Sequence, residues 1–218
     1  MLVRLEPHNP AWALEFAKVK ASLENILSSV PVISIVHVGS TSIPNLLAKP
    51  VLDIAIVVTR PDVPAASSAL EAAGYAGLGE LGVPDRWCFR QPGYVQDSYF
   101  AEGGSMKRNT YVTVEGCRNV RNHLDLKKVL LEDESLRDEY AARKRDIVDA
   151  CGEDGIGWDE YCARKTEVIL KILRKAGWSD EVSSLNSQKL QGLVHSISYK
   201  IANIYRDWCH PGTILTTP

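Results

Sequence analysis

The residues 37–42, His-Val-Gly-Ser-Thr-Ser, end one apolar, β-branched run, and Asp53 stands inside the next, 51–58. A Gly-Ser turn leaving a strand presents backbone N–H groups, and the hydroxyls of Ser40 and Thr41 add donors beside Gly39. That combination suits a phosphate group. A carboxylate at Asp53, two strands' width away, would hold a divalent cation that bridges to the phosphate oxygens. The same residues also read without a ligand. Gly39 then makes a tight turn, Ser40 and Thr41 cap a short helix, and Asp53 bonds locally. The residues alone leave both readings open.

Other side chains could serve an anion. Arg86 and Arg90 flank Trp-Cys-Phe on an expected strand, and a spacing of four puts both on one face. Guanidinium groups so placed fork onto phosphate or carboxylate. Tyr161 and Lys165 share one helix face at i,i+4. Turned inward toward the Gly-Ser turn, they would suit an anionic substrate. His37 reads as a satisfied strand-end histidine, His123 as a structural helix-start residue, and Lys127 and Lys128 as solvated helix charges. Five cysteines, Cys88, Cys117, Cys151, Cys162 and Cys209, form no CxxC pair and have no base partner at a telling distance. A zinc site, a disulfide framework and a catalytic thiol are therefore not expected. The lysine of Leu-Ala-Lys-Pro-Val, Lys49, is not a phosphate-loop lysine, because GxxxxGK[ST] is absent.

These residues need elements to position them. Apolar residues at 12, 16, 19, 23, 26 and 27 predict a helix over 9–30, capped by Asn9 and Pro10 and ended by Pro31. Strands are expected at 32–38, 51–58, 86–93, 94–101 and 108–116, with a helix at 62–75. The 51–58 run, apolar on both faces apart from Asp53, reads as a central strand. Helical periodicity follows over 122–151, broken near 133–135, and again over 157–178. A linker at 179–188 and an amphipathic helix at 189–208 complete the chain. The order predicts an α+β fold, a mixed sheet of about five strands flanked by helices, with the later helices on one side. It also divides the chain into a domain over 1–178 and a C-terminal linker, helix and tail over 179–218.

The 218 residues carry a formal net charge of -2, with 45% hydrophobic and 24% charged residues. This is an ordinary globular composition. It lacks the strongly basic balance of a protein that wraps duplex nucleic acid. No stretch approaches the roughly 18 apolar residues of a membrane span, and the first residues lack an apolar leader. A cytoplasmic protein is the expectation, with no membrane partner and an undefined oligomeric state.

The stretch 37–58, HVGSTSIPNLLAKPVLDIAIVV, resembles the hallmark of the GrpB family, close to HIGSTAVPGLxAKPIIDIxV. VRLEPHNPAWALEFAKVKASL is similar to the family's opening strand and helix, and GVPDRWCFR to its GIPGRxYFR segment. HLDLKKVLLEDESLRDEYAARKRDI and WDEYCARKTEVIL look like its two C-terminal helices, with Tyr161 and Lys165 on a Tyr-x-x-x-Lys pattern. The likeness runs over about 3–175 and implies the nucleotidyltransferase fold superfamily. It places Gly39, Ser40 and Thr41 on the turn that holds a triphosphate, Lys49 on the Ala-Lys-Pro lysine, and Asp53 on the first metal-binding carboxylate, with Mg2+ as the implied cofactor. Lys49, Asp53 and Lys165 become the catalytic candidates; Gly39, Ser40, Thr41, Glu80, Arg86, Arg90, Tyr111 and Tyr161 become substrate-binding candidates. Two departures matter. The superfamily's second acid is replaced by Ala55, as in the family generally. The family's His-Leu-His-Val strand reads Tyr111-Val112-Thr113-Val114 here. Glu80 and Glu115 are the candidate replacement acids. The resemblance and its departures together imply an enzyme acting on a nucleotide or other anionic small molecule with an incomplete metal site. The alternatives are a metal-independent enzyme on the same scaffold and a non-catalytic anion-binding module.

Overall fold

A computed structural model describes residues 2–179. The expected 189–208 helix, and all of the 179–188 linker except Ser179, lie outside the described residues. Five strands form one sheet in the order β1-β2-β5-β4-β3: β1 Val32–Val38, β2 Leu52–Val58, β3 Ala76–Gly79, β4 Arg86–Arg90 and β5 Arg108–Val114. β1 runs antiparallel to β2, as do β4 to β5 and β3 to β4, while β2 and β5 run parallel. The mixed α+β sheet expected from the sequence is therefore present, with the 32–38 and 51–58 runs as neighbours.

Strand alternation divides the sheet's two faces. Ile54, Ile56 and Val58 of β2, with Ile35, Val112 and Phe89, pack against α1 (Ala11–Ile26) and α2 (Val63–Ala72) through Trp12, Val19, Leu23, Ala66 and Leu70. The opposite face carries Val38, Ala55 and Val57, which meet Cys117 and Val120 at the start of α3 (Arg118–Glu132). Helices thus cover both faces rather than one, because β2 is apolar on both sides and each side must be removed from water. A second core joins Ile43 and Leu46, just after the Gly-Ser turn, to α3, to α4 (Glu134–Asp149) and to α6 (Thr166–Lys175) through Leu130, Tyr140, Val168 and Ile172. Between α4 and α6 lies the short α5, Trp158–Arg164. Burial of each such aliphatic side chain stabilises by about 1.5–3 kcal/mol. This second core fixes the turn against the C-terminal helices.

Several boundaries differ from expectation for local reasons. α1 stops at Ile26, because Val30 precedes Pro31 and is biased away from helix. Pro10 takes the capping position, and Asn9 Oδ1 accepts the Ala11 amide at 3.0 Å. The segment 94–101 is a loop with a single bridge, Phe100 to Met106, since the carbonyls of Val95 and Gln96 accept from Lys107 Nζ instead of a strand. β3, with the sequence Ala-Gly-Leu-Gly, carries no β-propensity and was not expected. The break near 133–135 is real: Asp133 Oδ1 caps α4 by accepting the Leu136 amide at 2.9 Å. The 157–178 helix is two helices, joined at Lys165.

Candidate active site

The end of β1 meets the start of β2 at close range. Val38 is the register partner of Asp53. Gly39 leaves the strand with φ 69° and ψ −175°, a conformation available essentially to glycine. A Cβ there would stand 2.3 Å from Asp53 Oδ2, so the carboxylate packs directly on the Gly39 backbone. Asp53 lies one strand from the turn, closer than the two strands' width expected. Ser40–Ser42 form a single 3-10 turn, held by Ser42 Oγ donating to the Gly39 carbonyl at 2.8 Å.

Thr41 points away from Asp53. Its hydroxyl donates to the Val51 carbonyl at 3.2 Å and lies 3.0 Å from His37 Nε2, which therefore donates to it. His37 stacks on Phe16. Burial, aided by Lys127, lowers the His37 pKa to about 4, although Asp53 pulls the other way, so the ring is neutral at pH 7. Thr41 and His37 therefore pin the turn to the strands and are not available to a ligand. Lys127, expected in solvent, reaches back to donate to the His37 carbonyl at 2.9 Å.

On the α3 side of the sheet, Asp53 is held by its parallel neighbour β5. Asn109 Nδ2 donates to Asp53 Oδ1 at 2.9 Å, and the Tyr111 hydroxyl approaches the same oxygen at 3.4 Å. Burial and the nearby carboxylate push the Tyr111 phenol well up, so it stays protonated and donates. His123 of α3 stacks over Tyr111 with centroids 6.3 Å apart, and burial lowers its pKa, as does Arg86, against Asp53. Arg86 of β4 stands 5.1 Å from the Tyr111 ring centre, and its Nε is buried without a partner.

Above the turn, three lysines converge from three elements. Lys144 of α4 is 1% exposed; its Nζ donates to Ser40 Oγ at 2.9 Å and to the Leu47 carbonyl at 2.6 Å, and lies 4.1 Å from the Tyr140 ring centre. Lys49 Nζ, in the segment leading to β2, is buried with no hydrogen-bond partner. It sits 2.7 Å from the Trp158 ring centre and 5.1 Å from that of Tyr161. Lys165, between α5 and α6, lies 4.5 Å from the same Tyr161 ring. Burial, reinforced by Lys165, lowers the Lys49 pKa to about 7. Burial, then Lys165 and Lys49, hold Lys144 well below the ordinary lysine range. Burial also opposes charge on Lys165, but the surrounding acidic groups, Asp53 among them, keep its pKa above the ordinary value.

Of the sequence-predicted residues, Gly39, Ser40, Lys49, Asp53, Arg86, Tyr111, Tyr161 and Lys165 gather around this cluster. Arg90 shares the sheet face and lies in the row of Asn109 and Asp53, with its guanidinium 4.8 Å from the Tyr94 ring centre. Glu80 is elsewhere: its Oε1 accepts the Asp85 amide at 2.7 Å and closes the β3–β4 turn. Glu115 is exposed beyond β5. Sequence reasoning missed Lys144, Asn109 and Tyr140. The signal for Lys144 was its place on an apolar stripe, with Leu136, Tyr140 and Ile147 the buried positions of the same helix.

Mg2+, the implied cofactor, requires several oxygen ligands that converge. Here Asp53 offers one carboxylate, and its Oδ1 already accepts from Asn109 and faces Tyr111. The position of a second acid is Ala55, buried among Val38, Val57 and Val120. Among the described residues no group of three or more His, Cys, Asp or Glu side chains could hold a metal ion. The residues present do not make up a two-metal centre, and their surplus charge is positive.

The profile described as GrpB protein matches residues 2–175. A UPF0157 protein of Halalkalibacterium halodurans is 28% identical over 181 residues, spanning 79% of this chain and 86% of that protein. The UPF0157 protein YqkA of Bacillus subtilis is 30% identical over 164 residues, 74% of this chain but 43% of the longer relative. The crystal structure of GrpB from Enterococcus faecalis shares the fold with a TM-score of 0.64 at 23% identity, over 80% of this chain and 100% of that one. A remoter likeness, TM-score 0.40 at 15% identity over 64% of this chain and 45% of the other, is to the Cid1 poly(U) polymerase with MgGTP bound. No helix of the described residues is long and apolar enough to cross a membrane. The motifs around Gly39 and Asp53, the fold that joins them and the match over 2–175 place this chain in the GrpB family.

Proposed function

We propose that this GrpB protein is an enzyme of nucleotidyltransferase ancestry whose cleft takes an anionic, phosphate-bearing small molecule or nucleotide. The observation that carries this reading is the cluster of Lys49, Lys144 and Lys165, which act on one another's charge and of which Lys144 bonds Ser40, with Asp53 the one carboxylate acting on Lys49 and Lys165 among the described residues. Buried cations need a counter-charge, and a carboxylate held by Asn109 and Tyr111 offsets only part of it. A ligand phosphate is the complementary partner. Ser40 and the Gly39-Ser40 backbone would orient it, the lysines would neutralise it, and Arg86 is placed to fork onto a second anionic group. Desolvation makes each of these contacts stronger than in water.

The missing second acid favours chemistry in which charge is neutralised by lysines rather than by a pair of metal ions. Thermal unfolding with ATP, CTP, GTP and UTP, each with and without Mg2+, tests the reading. At a ligand concentration 100-fold above Kd, binding stabilises by about 2.7 kcal/mol, a rise of roughly 5–10 °C for a domain of this size. A rise that persists in EDTA supports lysine-based binding. A rise that needs Mg2+ favours nucleotidyl-type chemistry, with metal brought by the phosphates. No rise with any nucleotide or with inorganic triphosphate refutes the reading.

A further inference from the structure

We propose that Lys49 is a nucleophilic amine that forms an imine with a carbonyl compound bearing a phosphate group. The inference rests on the anion-binding reading of the same cleft and names a substrate class for it.

The geometry separates the roles of the three lysines. Lys144 is committed: its ammonium donates to Ser40 Oγ and to the Leu47 carbonyl. Lys165 sits beside Tyr161, with Asp53 among the groups that favour its charge. Lys49 alone of the three has a buried nitrogen that bonds nothing. Two aromatic walls, Trp158 and Tyr161, flank it. Trp158, the covering ring, is itself 40% exposed, so the amine lies behind a surface side chain and not in the protein's centre. A desolvated amine beside a second cation is how a lysine is made nucleophilic near neutrality.

The groups that face Lys49 are those of this environment. Burial and then Lys165 favour its neutral form, the Cys162 thiol and Asp53 oppose them, and Lys144 of α4 also feels its charge. Tyr161 is held protonated, its pKa raised by burial. The balance leaves Lys49 half neutral near pH 7. In the reaction Nζ adds to the carbonyl carbon and its proton passes to the carbonyl oxygen. The carbinolamine then loses water and leaves the imine. The phosphate of the same molecule would occupy the Gly39-Ser40 turn beside Lys144, which holds the carbonyl against Lys49. No metal, oxidant or reductant enters the step.

The test is reductive trapping on the full chain. Pyridoxal 5′-phosphate supplies an aldehyde and a phosphate, borohydride fixes any imine, and peptide mass mapping locates it. Lys49 is expected to take label at least about tenfold faster at pH 7.5 than the average exposed lysine, whose ordinary pKa leaves only about one amine in a thousand neutral. The pH profile of labelling should have its midpoint near 7 and move upward in Lys165→Met. Label spread over exposed lysines with Lys49 unmodified overturns the inference, as does a midpoint near 10. Phosphate-free pyridoxal distinguishes the two readings. If the phosphate ester raises the melting temperature yet leaves Lys49 unlabelled, the anion site stands and the nucleophile fails. If both aldehydes label Lys49 equally, the nucleophile stands and the anion site fails.

Discussion

Gly39→Ala probes the contact on which the site is built. The new methyl carbon would stand 2.3 Å from Asp53 Oδ2 and 3.0 Å from both Asp53 Cβ and Cγ. Ordinary contact needs about a further ångström, so Asp53 must move off the turn, and its hydrogen bonds from Asn109 and Tyr111 are stretched or lost. A hydrogen bond to a charged group is worth about 1.5–3 kcal/mol. The backbone at φ 69° and ψ −175° adds about 1–3 kcal/mol of strain. The substitution should therefore cost about 3–5 kcal/mol, measured by urea or thermal unfolding. Gly103→Ala is the control: its φ is also positive, 75°, but a Cβ there meets nothing within 4 Å, so backbone strain alone, about 1–2 kcal/mol, is expected. A double-mutant cycle with Asp53→Ala isolates the collision, because that change removes Oδ2 and the hydrogen bonds it disturbs; about 1.5–3 kcal/mol of the Gly39→Ala cost should disappear. Equal costs at Gly39 and Gly103, or a cycle with no coupling, would refute the packing of Asp53 on the turn.

Asp53→Asn should bind inorganic triphosphate more tightly than the parent in EDTA, by about threefold or more, since the acid in a cationic cluster has been neutralised; weaker binding by calorimetry would show that Asp53 holds the ligand directly or through a metal. Stability should climb from pH 7 toward 10, because burial makes Lys49, and Lys144 in the same direction, hold their protons less firmly in the fold than in the unfolded chain. Above pH 10 the trend should reverse, as Tyr111, Tyr161 and Lys165 keep their protons in the fold. Lys49→Met should flatten the rise in denaturant midpoint; an unchanged slope would refute the assignment. On the acid side, stability should fall between pH 6.5 and 4 as His37 is forced to charge, and a flat profile there would contradict its burial. A chain ended after Trp178 should melt several degrees above one ended at Gly177. The reason is that Trp178 Nε1 donates to Asp125 Oδ2 at 2.8 Å and the ring lies under Arg121. Equal melting of the two shortened chains would remove that anchor.

The turn between β1 and β2 was readable because two β-branched runs meet at a glycine, and the Ala-Lys-Pro lysine and Asp53 come after it at fixed distances. Which turn hydroxyl meets the lysine cluster was not readable; it is Ser40, bonded by Lys144. Ser40 and Thr41 are equivalent in sequence, and only the His37 and Val51 contacts turn Thr41 inward. Lys144 was hidden among Arg143 and Arg145, three cations in a row whose orientation depends on where α4 packs. Asn109 becomes visible only once β2 and β5 are known to run parallel in the register that sets it beside Asp53. Glu80 was drawn in by the search for a second acid, while its chemistry is local, closing a turn whose Asp85 has φ 65°. The 94–101 segment misled because its alternation is that of a strand, but Lys107 draws its carbonyls inward.

Calorimetric titration of inorganic triphosphate into the full chain in EDTA tests the central claim most directly. The lysine cluster predicts a single saturable site, weakened at least tenfold in Lys165→Met, which removes a cation without touching the Gly39-Ser40 turn. Absence of binding in the parent, or the same affinity in Lys165→Met, would contradict the account.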